Sequence, residues 1–193
     1  MSDVTSVLFV GVGGQGTILA SKILTIGLIE HGYDVKMSEV HGMSQRGGSV
    51  STQVRFGQKV YSPIIGEGSA DILVSFEEME AARYARFLKK GGKMVVNKTQ
   101  IPSLPVLSGA CQYPQGIIEE LKKHVPVRDL DATKIATDLG NPKSANVVLL
   151  GALIEALGLH DIDWKSIIAK TVKPAFVDIN LKAFDAGMAA ARQ

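Results

Sequence analysis

The sequence predicts an α/β protein built on one doubly wound, mostly parallel sheet, and three observations carry that reading. The first is an apolar run, Val7-Leu8-Phe9-Val10, that opens directly into the glycine-rich stretch Gly11-Val12-Gly13-Gly14-Gln15-Gly16. The second is the proline-free, Ile- and Leu-rich segment over residues 17–30, so that strand, tight turn and helix follow one another. The third is repetition: buried-strand patterns at residues 71–76, 93–97 and 125–130 alternate with helical ones. That alternation is the one a parallel sheet with helical crossovers produces. The expected architecture is Rossmann-like, with an inserted hairpin and a helical C-terminal part, in a single domain over residues 1–193.

Taken in order, the helix over residues 15–31 is apolar on more than one side, with Ile18, Leu19, Ile23, Leu24, Ile26, Leu28 and Ile29. One apolar stripe suffices to cover a sheet, so the excess points to a second contact such as another subunit. Gly32 is placed to stop the helix in a left-handed cap, and residues 34–40 read as the second strand of a βαβ unit. Residues 51–55 alternate as a strand does, and with residues 59–65 they are expected to form the hairpin, turning at Gly57-Gln58. Residues 77–88 are helical, with acids in the first turn, Lys89-Lys90 at the end and Gly91-Gly92 as the stop. Pro102, Pro105 and Pro114 keep the next stretch extended, with an edge strand expected over residues 106–113. Cys111 lies there and reads as a buried or half-buried inert thiol. Helices follow over residues 117–124 and from Asp131 or Ala132 to Leu139. Asn141-Pro142 then starts a nearly all-apolar helix to Leu157, whose Ala145, Gly151, Ala152 and Ala156 permit close packing. Asp163 caps another helix, Pro174 interrupts, and residues 177–191 close the chain.

Two stretches carry chemistry. Gly11, Gly13 and Gly16 fit the spacing of a dinucleotide-binding turn, which would bend at Gly11, approach a phosphate at Gly13 and pack helix on strand at Gly16. The helix N-terminus behind Gly14, Gln15 and Gly16 offers free N–H groups and a positive dipole end to an anion. The second stretch is Ser38-Glu39-Val40-His41-Gly42-Met43-Ser44-Gln45-Arg46-Gly47-Gly48, at the carboxyl end of a strand, where open α/β sheets bind ligands. Arg46 suits phosphate or carboxylate, and His41 is the candidate proton carrier. Glu39 lies about twenty residues past Gly16, near where a nicotinamide-binding domain holds ribose.

Composition narrows the field. Apolar residues at 46% and charged ones at 21% supply core enough for an ordinary globule, and a net charge of +2 with interspersed signs argues against a nucleic-acid or membrane-surface partner. The single cysteine excludes an internal disulfide and a self-contained iron–sulfur cluster or thiolate zinc site. Residues 1–4 carry no signal-type apolar core, no run is long enough to span a membrane, and a cytoplasmic chain is expected. His31, His41, His124 and His160 are scattered, and neither a complete catalytic constellation nor a metal motif is present. Either a bound cofactor or another polypeptide supplies the chemistry.

Together the two loops resemble the gamma-type subunit of 2-oxoacid:ferredoxin oxidoreductases. The likeness continues through Asp131-Ala132-Thr133-Lys134-Ile135-Ala136, Gly140-Asn141-Pro142, Asn146 to Gly151 and Asn180-Leu181-Lys182-Ala183-Phe184, nearly the whole chain. Within that family the Ser-Glu-Val-His-Gly-Met-Ser-Gln-Arg-Gly run is most similar to the beta subunit of the indolepyruvate enzymes. The resemblance implies oxidative decarboxylation of a 2-oxoacid to an acyl-coenzyme A. Thiamine diphosphate and iron–sulfur clusters would sit on a large partner subunit, and ferredoxin would accept the electrons. This chain would assist coenzyme A binding and assembly, with the phosphates at Gly11, Gly13, Gly14, Gln15, Gly16, Ser44, Gln45, Arg46 and Gly47. It would not be active alone, and a homodimer is an expectation for the isolated chain. The competing readings are a self-contained NAD(P)- or FAD-dependent enzyme using Glu39, and a nucleotide-binding module without turnover.

Overall fold

The computed structural model describes residues 4–40 and 47–192. Six strands form one mixed sheet: β1 (Thr5–Val12), β2 (Asp34–Val40), β3 (Ser49–Gly57), β4 (Ala70–Ser75), β5 (Leu88–Asn97) and β6 (Val127–Leu130), in the order β2-β3-β1-β4-β5-β6. β1, β4, β5 and β6 run parallel, as the apolar runs in the first three predict. Val7, Phe9, Val10, Ile72, Leu73, Val74 and Val95 are fully buried in them, between helices on both faces.

The other two strands depart from the expected path. β2 does not lie beside β1; β3 is inserted between them, antiparallel to both. The hairpin is therefore β2–β3, closed by residues 41–48, and residues 59–65 are no strand. Pro63 explains this, since it lacks the N–H a ladder needs. Side chains from the hairpin hold the segment instead. Arg55 Nη1 donates to the carbonyls of Ser62 (3.0 Å) and Ile64 (3.3 Å). Gln53 Oε1 accepts from Ile65 N at 2.5 Å, and Asp34 Oδ2 accepts from Val60 N at 2.9 Å.

The helices are α1 (Thr17–Glu30), α2 (Glu78–Tyr84), α3 (Leu104–Leu107), α4 (Ile117–Lys122), α5 (Ala132–Asp138), α6 (Ala145–Leu157), α7 (Trp164–Thr171) and α8 (Val177–Arg192). One sheet face is covered by α1, α5, α6, α7 and α8, the other by α2 and α4. Asp163 caps α7, its side chain accepting from Ser166 N. Gly32 is left-handed after α1, at φ +94°.

Two further expectations are corrected. After α2 a 3-10 turn leads straight into β5, and residues 89–92 bulge from that strand rather than ending a helix: Ala70 pairs with Leu88 but Ile72 with Lys93. Residues 106–113 form no edge strand. Pro105 sits in the first turn of the short α3, which leaves Leu104 and Leu107 exposed, and Cys111 is exposed beyond it.

Candidate functional site

The carboxyl ends of β1 and β4, the head of α1 and the start of α6 converge at one edge of the sheet. Gly11 lies within β1, where a Cβ would come 2.9 Å from both Gln15 Oε1 and Phe76 Cβ. It makes room, and the bend falls at Gly14 and Gly16, with φ +104° and +82°. The Gln15 amide closes the turn: Oε1 accepts from Val12 N and Nε2 donates to Phe76 O, each at 2.7 Å. Gly13 is sewn to the far end of the β2–β3 connection, its N–H donating to Gly48 O (2.8 Å) and its carbonyl accepting from Gly47 N (3.2 Å). The structure thus brings Gly47 onto the glycine turn. His41, Ser44, Gln45 and Arg46 lie outside the described residues.

Gly16 is the N-cap of α1 and offers no side chain to the helix's first N–H groups. They border a cleft of about 280 Å³ lined by Gly13, Gly14, Thr17, Ile18, Ser51 and Thr52. A second cleft, of about 830 Å³, opens between the start of α6 and the α7–α8 connection, with Asn141, Lys143, Ser144, Asn146, Lys173 and Phe176 on its walls. Asn146 stands between the two. Its Nδ2 donates to Gly16 O at 3.3 Å, and a Cβ on Gly16 would come within 2.3 Å of that nitrogen.

The walls of the second cleft hold two orphaned polar atoms. Ser144 is 1% and Asn146 5% exposed, yet Ser144 Oγ and Asn146 Oδ1 have no hydrogen-bond partner among the described residues. A buried, unsatisfied oxygen costs about 1–3 kcal/mol. Both sit at the first turn of α6, whose dipole favours an anion. Lys143 and Lys173 supply positive charge beside them. A phosphorylated ligand bearing amide N–H donors fits: the Ser144 hydroxyl can donate to a phosphate oxygen, and Asn146 Oδ1 can accept from an amide. Neither residue stands out in the sequence as a ligand. The available signal was a lone asparagine in a helix otherwise buried and apolar through Ile154.

Below this edge, two buried acids anchor the exit of the β2–β3 connection. Glu77 Oε2 accepts from Glu80 N (2.9 Å), and Oε1 accepts from Ile101 N (3.1 Å) and the Tyr113 hydroxyl. Glu80 Oε2 accepts from Ser49 Oγ at 2.5 Å, and Oε1 from Arg83 Nε at 3.1 Å. Burial pushes the Glu80 carboxyl above its ordinary value against the pull of Ser49 and Arg83. Burial and the Glu77 carboxylate also push the Tyr113 hydroxyl up, so it remains a donor.

Glu39 ends β2, and β3 separates it from β1. It therefore lies two strand spacings from β1, one spacing of roughly 5 Å farther than the ribose-binding acid of a dinucleotide domain, whose strand adjoins β1. Among the described residues no group of three His, Cys, Asp or Glu side chains could hold a metal ion, and no helix is long and apolar enough to cross a membrane.

The glycine turn facing the N-terminus of α1 gives this α/β fold a place that can receive an anionic group. The sequence family described as pyruvate ferredoxin/flavodoxin oxidoreductase matches residues 6–190, and the chain belongs to it. Indolepyruvate oxidoreductase subunit IorB from Pyrococcus horikoshii is 43% identical, over 97% of this chain and 96% of that one. Its counterpart from Archaeoglobus fulgidus is 39% identical, over 94% and 92%. Among solved structures, the gamma subunit of a keto/oxoacid ferredoxin oxidoreductase from Geobacter sulfurreducens shares the fold, with a TM-score of 0.73 at 24% identity over 97% of this chain and 98% of that one. The 2-oxoglutarate:ferredoxin oxidoreductase of Magnetococcus marinus, determined with 2-oxoglutarate, coenzyme A and succinyl-CoA, shares it too. There the TM-score is 0.74 at 22% identity, over all of this chain and 32% of that one.

Proposed function

We propose that this chain is the small subunit of an indolepyruvate:ferredoxin oxidoreductase, and that its part in the reaction is to bind coenzyme A. The substrate reading rests on the 43% and 39% identity to subunits named for indolepyruvate. One cysteine cannot furnish the four thiolates of an iron–sulfur cluster. The clusters are therefore assigned to a large partner subunit, and the family resemblance assigns thiamine diphosphate to it as well, to supply the decarboxylation and the path of electrons to ferredoxin.

The binding reading rests on Asn146, which joins the two clefts with an unsatisfied oxygen on its buried amide. Coenzyme A is long, carries phosphates at one end and amides along its pantetheine arm, and needs contacts of both kinds. The head of α1, with Gly14 and Gly16, would take phosphate through backbone N–H groups, assisted by Ser44, Gln45 and Arg46 beyond Gly47, whose own N–H is spent on Gly13 O. Ser144 and Lys143 would hold a second anionic group, and Asn146 an amide or hydroxyl of the same molecule. Held at both ends in this way, the thiol would be left free to meet the acyl group formed on the partner subunit. A self-contained NAD enzyme is disfavoured by the displaced Glu39.

The test is steady-state kinetics of the assembled enzyme, with indolepyruvate and a viologen acceptor. Arg46→Ala is expected to raise the KM for coenzyme A about tenfold, the worth of one charge-assisted phosphate contact, while the KM for indolepyruvate holds. An unchanged KM for coenzyme A would refute the placement of its phosphates at this loop.

A further inference from the structure

The sheet has two open edges, and they are built differently. β6 has four residues, and its Asp129 is bonded to Lys98 (2.7 Å) and Lys122 (2.5 Å). Brevity and charge are the ordinary guards against unwanted strand pairing. β2 has seven residues in unbroken register with β3, without a bulge. It is flanked by exposed apolar side chains: Met37 is 37% and Val40 57% exposed, and on the neighbouring α1 Ile18 is 44% and Ile29 54%. Thr25 Oγ1 lies 3.6 Å from Met37 Sδ, which makes the helix stripe and the strand one continuous surface. Of the nine large apolar side chains exposed among the described residues, Ile18, Ile29 and Met37 share this face, and Val40 stands on the other side of the same strand.

We propose that this edge pairs with a second copy of the chain, the two β2 strands running antiparallel about a twofold axis at Met37. The occupant follows from the pattern of the strand. With Met37 opposite its own copy, Lys36 faces Ser38, Val35 faces Glu39 and Asp34 faces Val40. No like charges are opposed, a condition a self-pairing strand must meet, and Lys36 is already ion-paired with Asp34 inside its own strand. An axis normal to the sheet keeps both α1 helices on one face, so that Ile18 and Ile29 of each flank the seam. The two sheets become one of twelve strands, and the outward backbone groups of β2 find partners.

The test uses the full chain purified alone. Sedimentation should show a dimer at about 50 μM, and Met37→Lys, with its fold checked by circular dichroism, should raise the dissociation constant at least ~30-fold. Met37→Cys in a Cys111→Ala background should cross-link to a covalent dimer on mild oxidation, because directly opposed antiparallel residues bring their Cα atoms to about 4.5–5.5 Å. A wild-type monomer at that concentration overturns the proposal, as does a dimer that Met37→Cys fails to cross-link. A monomer in which the Met37→Cys thiol becomes protected only on adding the large subunit also overturns it, and assigns the edge to that subunit.

Discussion

Around the head of α1, Gly14, Gly16 and Gly47 hold left-handed backbone, and a Cβ added at Gly14 or Gly47 would meet nothing within 4 Å. Where α6 crosses α8 the geometry is reversed. A Cβ on Gly187 would lie 1.9 Å from Val148 O, and one on Gly151 would lie 2.2 Å from Phe184 O. In the first region glycine shapes a surface and leaves space for something else; in the second it removes space so that two backbones can touch. The same residue type therefore marks a binding edge in one place and a structural seam in the other. Conformation and nearest neighbour tell them apart, where frequency in the sequence does not.

The sharpest way to break that contrast is to fill the seam. Gly187→Ala sets a methyl against backbone atoms that cannot rotate away, and roughly 3 kcal/mol of destabilisation is expected. Thermal unfolding should show it as a midpoint some 6–12 °C lower; a fall of less than 1 °C would mean that the helices separate freely. Gly16→Ala lies between the two classes, being both left-handed and pressed on Asn146. A loss of about 1–2 kcal/mol is expected from backbone strain, together with a KM for coenzyme A raised about tenfold as the Asn146 amide is pushed aside. An unchanged KM would separate Asn146 from the ligand.

On the binding side the expected sign inverts. Ser144→Ala removes an unsatisfied buried hydroxyl, so the midpoint should hold or rise, while affinity for coenzyme A falls about 3–10-fold with the lost hydrogen bond. Lower stability with unchanged affinity would make Ser144 part of the core. The smallest effect belongs to Glu80. Burial raises its carboxyl pKa above 4.5, so the folded protein holds this proton more tightly than the unfolded chain does. The stability that the bound proton contributes is complete in acid below that value and is lost as pH rises through the raised folded pKa. Glu80→Gln should therefore match the wild type in acid and be modestly more stable at pH 8, as melting curves across pH would show; a variant less stable at pH 8 would make the bonds to Ser49 and Arg83 dominant.

Most elements were legible because their signals are local. β1, β4 and the end of β5 announce themselves as apolar runs, α6 by its nearly all-apolar stretch after Asn141, and α8 by the Pro174 punctuation. The position of β3 was not legible, because strand order is set by long-range pairing, and no residue of Ser49–Gly57 names its neighbour. Residues 59–65 were misread where a β-favouring composition outweighed Pro63. Of the candidate site, the glycine turn and its junction with Gly47 were foreseeable from motif and loop chemistry. Ser144 and Asn146 were not, since what distinguishes them is a missing partner in three dimensions.

The insertion of β3 also bears on how such a subunit can diversify. Residues 41–48 start and end at neighbouring strands whose pairing, Val40 with Ser51, is complete without them. Apart from Gly47 and Gly48, which are bonded to Gly13, the segment can change length without altering the register of β2 on β3. A change of length there would leave the β2–β3 ladder and the helices packed on the sheet in place, so the chemistry of the connection and the stability of the scaffold are separable.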